Sequence, residues 1–189
     1  MNVYDPYPDQ IELDGQIIRL NLAYDRVLRA LDIQDAEDLT QADKLTAQVA
    51  WLLDEREEIP QELEKQAKIL QAVVDLFPKN ENPKGERYID FHQDAAMIRS
   101  AFFRIGVDLT RDKIHFFQFL ELLADLPADT ALMRVIEIRQ KPVPAANKHN
   151  KEYVQNLLKA KARVAIRYSE EEQRRRFAES LKNSAIMRG

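Results

Sequence analysis

Apolar residues alternate with polar ones near the start of this chain and recur at helical spacing through the rest. Ile11 and Leu13 alternate with polar neighbours, Asp14-Gly15 offers a turn able to take positive φ, and Ile17, Ile18 and Leu20 follow. This pattern predicts a short β-hairpin. A lone hairpin is marginal in water, so it is expected to lean on helices. From Leu22 the period becomes helical, with Val27, Leu28 and Leu31 on one face up to about Ile33. Thr40 with Asp43 reads as an N-cap pair, opening a segment in which Leu45, Val49, Leu52 and Leu53 recur at helical spacing. Pro60 sits where a first helical turn tolerates it. Leu63, Ala67, Leu70, Val74 and Phe77 then trace one more helical stripe, which Pro78 ends.

Residues 79–87 (KNENPKGER) are polar and carry Pro83 and Gly85, so they read as a linker. Beyond it, Asp90 with Gln93 predicts a capping box for a helix carrying Ala95, Ile98, Phe102 and Ile105, with Gly106 at its C-terminal cap. Thr110 is the expected cap of the next helix. Ile114, Phe116, Phe117, Phe119, Leu120, Leu122 and Leu123 make that helix apolar nearly all round, so it is expected to be the buried centre of a bundle, against the helices at 91–105 and 132–138. Asp129 or Thr130 caps a short helix with Leu132, Val135, Ile136 and Ile138. Pro142 and Pro144 mark a break. Tyr153, Leu157, Ala160 or Lys161, Val164 and Tyr168 form a narrow stripe, and Ser169 with Glu172 suggests a final helix carrying Phe177, Leu181 and Ile186. The expected fold is mainly α: a bundle-like helical core, a small N-terminal β-hairpin and a C-terminal helical arm. Its segments are 1–78, 88–141 and 148–189, or one continuous domain.

Composition narrows the classes. With 189 residues, 45% hydrophobic and 32% charged, the chain can bury a core, and its 4 Gly argue against a turn-rich sandwich or barrel. It has no cysteine, which excludes disulfides, thiolate metal sites and cysteine nucleophiles. The N-terminus has neither a basic n-region nor an apolar h-region, so no signal peptide is expected, and no stretch approaches a membrane span. The net charge of −4 hides an asymmetry. Residues 148–189 carry 11 basic and 5 acidic side chains, net +6, and the remainder is −10. A solvated, locally balanced helix explains this; so does a basic arm for an acidic partner surface.

Candidate chemistry is sparse. His92 and Asp94 form an H-x-D, but residues two apart do not face each other on a helix, and HExxH is absent. His115 sits among phenylalanines and reads as a hydrogen-bonded core histidine. GxxxxGK[ST], GxGxxG and GxSxG are all missing. No catalytic, cofactor-binding or metal-binding residue is expected. The basic tail is interrupted by Glu170, Glu171 and Glu172 and lacks an aromatic-basic platform, which disfavours nucleic acid as its partner.

The stretch from Tyr88 to Leu109 resembles a Tyr-x-Asp-Phe-x-x-Asp opening, an aliphatic-Ala-Phe helix and a Gly-aliphatic-Asp-Leu close. Residues 114–119 are similar to a Leu-His-Trp-Trp-Lys-Phe segment, with Phe116-Phe117 for the tryptophans and Gln118 for the lysine. Leu126-Pro127-Ala128-Asp129-Thr130, Ile138-Arg139, the N-terminal Asp-Pro with its Asp-Gly hairpin, and Arg26-Val27-Leu28 match in the same order. Together these resemble the bacteriophage family named for gene product fifteen, found in long-tailed phages. The resemblance implies a non-enzymatic tail assembly protein: a chaperone that binds the tape measure protein and the major tail protein. It would act in the host cytoplasm during assembly and be absent from the finished virion. A tail component retained in the virion and a nucleic-acid-binding regulator are the alternatives. A chaperone must cover apolar helical stripes, and the last two helices offer a surface for that. Tyr153, Leu157, Val164, Tyr168, Phe177 and Leu181 supply apolar area, and Arg163, Arg167, Arg174, Arg175 and Arg176 supply steering. Packing on the protein's own body, or self-association, is the competing use of these stripes.

Overall fold

A computed structural model describes residues 4–77 and 87–168. The expected final helix, with Arg174 to Arg176, Phe177 and Leu181, and the linker at 79–86 lie outside them. In chain order the elements are β1 (Gln10–Leu13), β2 (Gln16–Arg19), α1 (Tyr24–Gln34), α2 (Gln41–Leu52), α3 (Leu63–Leu76), α4 (Ala95–Arg104), α5 (Phe116–Ala124), α6 (Ala131–Gln140) and α7 (Lys151–Val164). Among the described residues the fold is mainly α with one small antiparallel hairpin. The chain forms two compact units, Met1–Gly85 with Ile105–Leu126, and Glu86–Arg104 with Pro127–Gly189.

The first unit starts with the hairpin. Asp14 and Gly15 both take positive φ, 52° and 75°, as a two-residue primed turn requires. Ile11 pairs with Ile18, and both are buried while Ile17 faces outward. Helices α1, α2 and α3 pack in succession, and β1 lies against α3. The N-cap at Thr40 is as expected, with its Oγ1 accepting from Asp43 N at 3.2 Å. Val49, Leu52, Leu53, Ile69 and Val73 fill the core.

Helix α5 also belongs to this unit, which corrects the expected bundle. It packs on α1, whereas the helices expected beside it, α4 and α6, pack on each other in the second unit. The N-cap differs as well. Thr110 closes a turn on Asp108, with Thr110 N and Oγ1 both donating to Asp108 Oδ1 at 3.0 and 2.6 Å. The cap of α5 is His115, whose Nδ1 accepts from Phe117 N at 3.1 Å. The reason is main-chain pairing: Ala23 bridges His115, Tyr24 N donates to Ile114 O at 3.0 Å, and Phe116 N donates to Leu22 O at 2.8 Å. Ile114 and His115 are therefore held out of the helix, which begins at Phe116. Phe116, Phe117 and Phe119 are buried, with Phe119 stacked on Tyr24 at 5.1 Å.

The second unit is built from α4, α6 and α7, in which α6 contacts both neighbours. Gly106, at φ +87°, follows the end of α4 where a left-handed residue is needed. Thr130 caps α6 through Met133 N at 3.3 Å. The formal charge divides by unit. The first carries 22 acidic and 11 basic side chains, net −11; the second carries 10 and 17, net +7.

His115 gives this fold a pH dependence. Its ring stacks on Tyr7 at 4.9 Å, and because Nδ1 accepts from an amide, the ring proton sits on Nε2, 3.1 Å from the Pro8 carbonyl. Burial lowers its pKa, and the hydrogen bond to Pro8 and the charges of Asp9 and Glu121 only partly oppose this. The unfolded chain therefore takes up a proton at higher pH than the folded one, so stability falls as pH drops through the usual histidine range, about 6.5. Urea unfolding midpoints at pH 7.5 and 5.5 are expected to show this loss, and His115→Asn, which keeps a capping acceptor, should reduce it. An undiminished loss in His115→Asn would assign it to other groups.

Candidate functional site

The second unit converges on one arginine. Arg139 lies in the last turn of α6 with its side chain 6% exposed, and it faces Asp94, whose side chain is fully buried. Nη1 donates to Asp94 Oδ2 at 2.5 Å and Nη2 to Asp94 Oδ1 at 2.9 Å, a two-pronged fork. Nη1 also reaches the Tyr88 carbonyl at 2.8 Å, and Nε reaches the Val164 carbonyl at 2.7 Å. Four of the five N–H donors of a guanidinium are thereby engaged, by groups from three parts of the chain.

Val164 is the last residue of α7, so its carbonyl is one of those a helix leaves without an internal partner. Arg139 supplies the missing donor and places positive charge at the negative end of the helix dipole. Helix α7 reciprocates: Lys161 Nζ donates to the Arg139 carbonyl at 2.6 Å, at the corresponding end of α6. Each helix thus closes the other's C-terminus. The burial of Val154 and Leu157 on α7 and of Leu132 and Ile136 on α6 supplies the apolar contact around that exchange.

The opening of α4 is built to present Asp94. Asp90 Oδ1 accepts from His92 N at 2.9 Å and Gln93 N at 2.7 Å, and its Oδ2 pairs with Arg87. The expected capping box is half realised. Gln93 receives the bond through its amide, but the carboxylate that returns to Asp90 N is Asp94, at 3.0 Å. Gln93 is used elsewhere: its Nε2 donates to Ala165 O at 2.9 Å and its Oε1 accepts from Arg167 N at 3.0 Å. Arg87 lies 6.0 Å over the Tyr168 ring. Residues 165–168 are therefore held on the α4 opening as α7 ends.

The first unit contains a parallel device. Arg26 of α1 donates from Nε to Trp51 O at 2.8 Å and from Nη2 to Leu53 O at 3.1 Å and Ala50 O at 3.4 Å, closing the C-terminus of α2. Its guanidinium and that of Arg29 lie 5.5 and 5.1 Å from the Trp51 ring. Tyr24 OH donates to the Leu109 carbonyl and Lys113 pairs with Asp25, joining the start of α1 to the loop before α5.

The residues expected to bind a partner are placed unevenly. Leu157 is buried and Val164 half-buried; Tyr168 is half-buried beneath Arg87. Tyr153 is 48% exposed, and Arg163 and Arg167 face outward. Arg174, Arg175, Arg176, Phe177 and Leu181 lie outside the described residues. Sequence reasoning had Arg26 and Arg139 only as residues that resemble the family's pattern, and Lys161 only as a position on the α7 stripe; their role at helix ends was missed. The available signal was a basic residue in the last turn of a helix, and for Asp94 a position on the apolar side of α4, where a carboxylate requires a cation. His92 is exposed and His115 is the cap described above. Among the described residues no group of three or more His, Asp or Glu side chains is arranged to hold a metal. No helix among them is long and apolar enough to cross a membrane.

Two outcomes are expected here. Arg139→Met leaves a buried carboxylate without its cation and should cost about 3–5 kcal/mol in denaturant unfolding, most of it recovered in the Arg139→Met/Asp94→Leu double variant. A loss below about 1 kcal/mol would show that the pair does not hold this unit together. Burial raises the pKa of Asp90, but the amide bonds from Gln93 and His92 and the charge of Arg87 outweigh it, leaving the carboxyl below the usual carboxylate range. Its contribution is present above that range and is lost as pH falls below about 4. Asp90→Asn should flatten the acid limb of a stability–pH profile; an unchanged limb would contradict that role.

A family model described as Bacteriophage Gp15 protein matches residues 3–166. No curated protein and no solved structure matches the chain.

Proposed function

The chain belongs to the bacteriophage Gp15 protein family, and from that premise we propose that it is a non-enzymatic tail assembly chaperone for the tape measure protein and the major tail protein. Membership points to a phage structural or morphogenesis protein, and the match over residues 3–166 is the observation that carries the reading. The placement of the motif residues supports the non-enzymatic part. Asp90, Asp94 and Arg139 hold helix ends, Asp108 holds a turn and His115 caps a helix, so the groups that resemble family motifs are engaged in architecture. A tape measure protein exposes long apolar helical stripes before the tail tube encloses it. Reversible helix-on-helix contacts, each weak and repeated along the stripe, suit that task.

The arm is best tested by substitution. Deleting residues 148–189 would remove α7, whose end carbonyl and Lys161 close the α6–α7 pair. Tyr153, Arg163 and Arg167 face outward and can be changed with the unit intact. Co-expression with the phage's tape measure protein should keep that protein soluble, and Tyr153→Ser/Arg163→Glu/Arg167→Glu should lower its soluble yield while circular dichroism stays unchanged. Undiminished yield would remove these residues from the binding surface. Mass spectrometry of purified virions should find no copies; stoichiometric copies would make the protein a tail component instead.

A further inference from the structure

Residues 6–9 form a strap that crosses onto α5 before the hairpin begins. Among the described residues, 6–8 make no main-chain to main-chain hydrogen bond; the first comes at Asp9, whose carbonyl accepts from Leu20 N at 2.7 Å. Three side-chain contacts hold the strap instead. The Tyr7 ring stacks on His115 at 4.9 Å with an interplanar angle of 6°, Tyr7 OH donates to Glu121 Oε2 at 2.5 Å, and His115 Nε2 donates to the Pro8 carbonyl at 3.1 Å. Phe117 meets the Tyr7 ring edge-on at 6.3 Å and is otherwise buried. Pro6 and Pro8, on either side of Tyr7, fix φ and stiffen the segment, so it leaves or stays as a unit.

We propose that this strap is a pH-released latch: protonation of His115 lifts residues 6–8 off α5 and uncovers His115 and Phe117 while the first unit stays folded. Neutral His115 uses both ring nitrogens, Nδ1 as acceptor for Phe117 N at 3.1 Å and Nε2 as donor to Pro8. A second proton, on Nδ1, faces an amide N–H, donor against donor, and puts a cation at the positive end of the α5 dipole. The imidazolium must therefore turn out of its place, and it takes with it the ring on which Tyr7 stacks and the donor to Pro8. The charges facing it favour the same exchange. Glu121 attracts the imidazolium and is the carboxylate that Tyr7 OH uses. Asp9 attracts it too, but the Asp9 carbonyl is bonded to Leu20 N, so this is the end of the strap that does not move. On the α1 side, where Ala23 bridges His115, Asp25 and Lys113 are paired with each other. Burial, the first cause of the lowered His115 pKa, puts release on the acid side of the usual histidine range. This inference stands independently of the tail-assembly reading.

The test is a pH titration of the full-length protein by NMR, from pH 7.5 to 5, following the ring protons of His115 and Tyr7. The indole N–H of Trp51, the chain's one tryptophan, reports whether the first unit is still folded. The Tyr7 ring protons should lose their stacking shift at the same midpoint as His115 titrates, while the Trp51 signal holds. In His115→Asn, which keeps a capping acceptor, the Tyr7 stacking shift should be reduced at every pH and should no longer change across this range. Glu121→Gln keeps an acceptor for Tyr7 OH and removes the facing charge, so the Tyr7 transition should remain, with its midpoint moved to lower pH. Tyr7 signals that stay stacked while His115 titrates overturn the proposal. So does loss of the Tyr7 and Trp51 signals at one midpoint, or a Tyr7 transition that persists in His115→Asn or vanishes in Glu121→Gln.

Discussion

The last carbonyls of a helix have no partner within it, and in a small protein those ends must still pack inward. Both units meet this constraint with an arginine from a neighbouring helix. Arg26 takes the end of α2 and Arg139 the end of α7. One guanidinium can satisfy several acceptors from separate segments at once, which an ammonium on a single stem does less well. In the second unit the consequences extend furthest. Asp94 must be buried to meet Arg139, the α4 opening must be shaped by Asp90 to present Asp94, and Gln93 is then free to hold the chain leaving α7.

Much of this was legible in the sequence and some was not, for physical reasons. The Asp14-Gly15 turn, the Thr40 and Thr130 caps and Gly106 were readable because each depends on a few neighbouring residues. The start of α5 was not. Its apolar pattern runs back through Ile114, but main-chain bonds from this stretch to Leu22, Ala23 and Tyr24 keep Ile114 and His115 out of the helix, and such pairing leaves no local trace. The near-continuous apolar surface of α5 announced burial without saying against what; it packs on α1. Periodicity likewise located the α7 stripe but not its use. Leu157 is buried in the second unit, while Tyr153 and Arg163 face outward.

The charge asymmetry read along the chain carries over to the two units. Along the chain it reads as an acidic body with a basic tail; by unit it is −11 against +7, and most of each value comes from residues 1–85, with 18 acidic and 9 basic side chains, and from 148–189, net +6. Structural arginines and lysines account for part of the positive side, Arg139, Arg87 and Lys161 among them. Other cations, such as Arg163 and Arg167, stay exposed. Asp90, Asp94, Arg26 and Arg139, which stand in the segments that resemble the family's pattern, hold helix ends, whereas Arg163 and Arg167 are exposed and lie outside those segments.

The claim that the arginines organise their units is tested most directly by native-state hydrogen exchange on the unaltered protein and on Arg26→Met and Arg139→Met, read amide by amide. Closure of helix ends by arginine predicts that Arg139→Met loses protection in the last turns of α6 and α7 and at residues 88–94, and that Arg26→Met loses it in the last turns of α2. Unchanged protection at those ends, or an equal loss throughout both units in either variant, would contradict it.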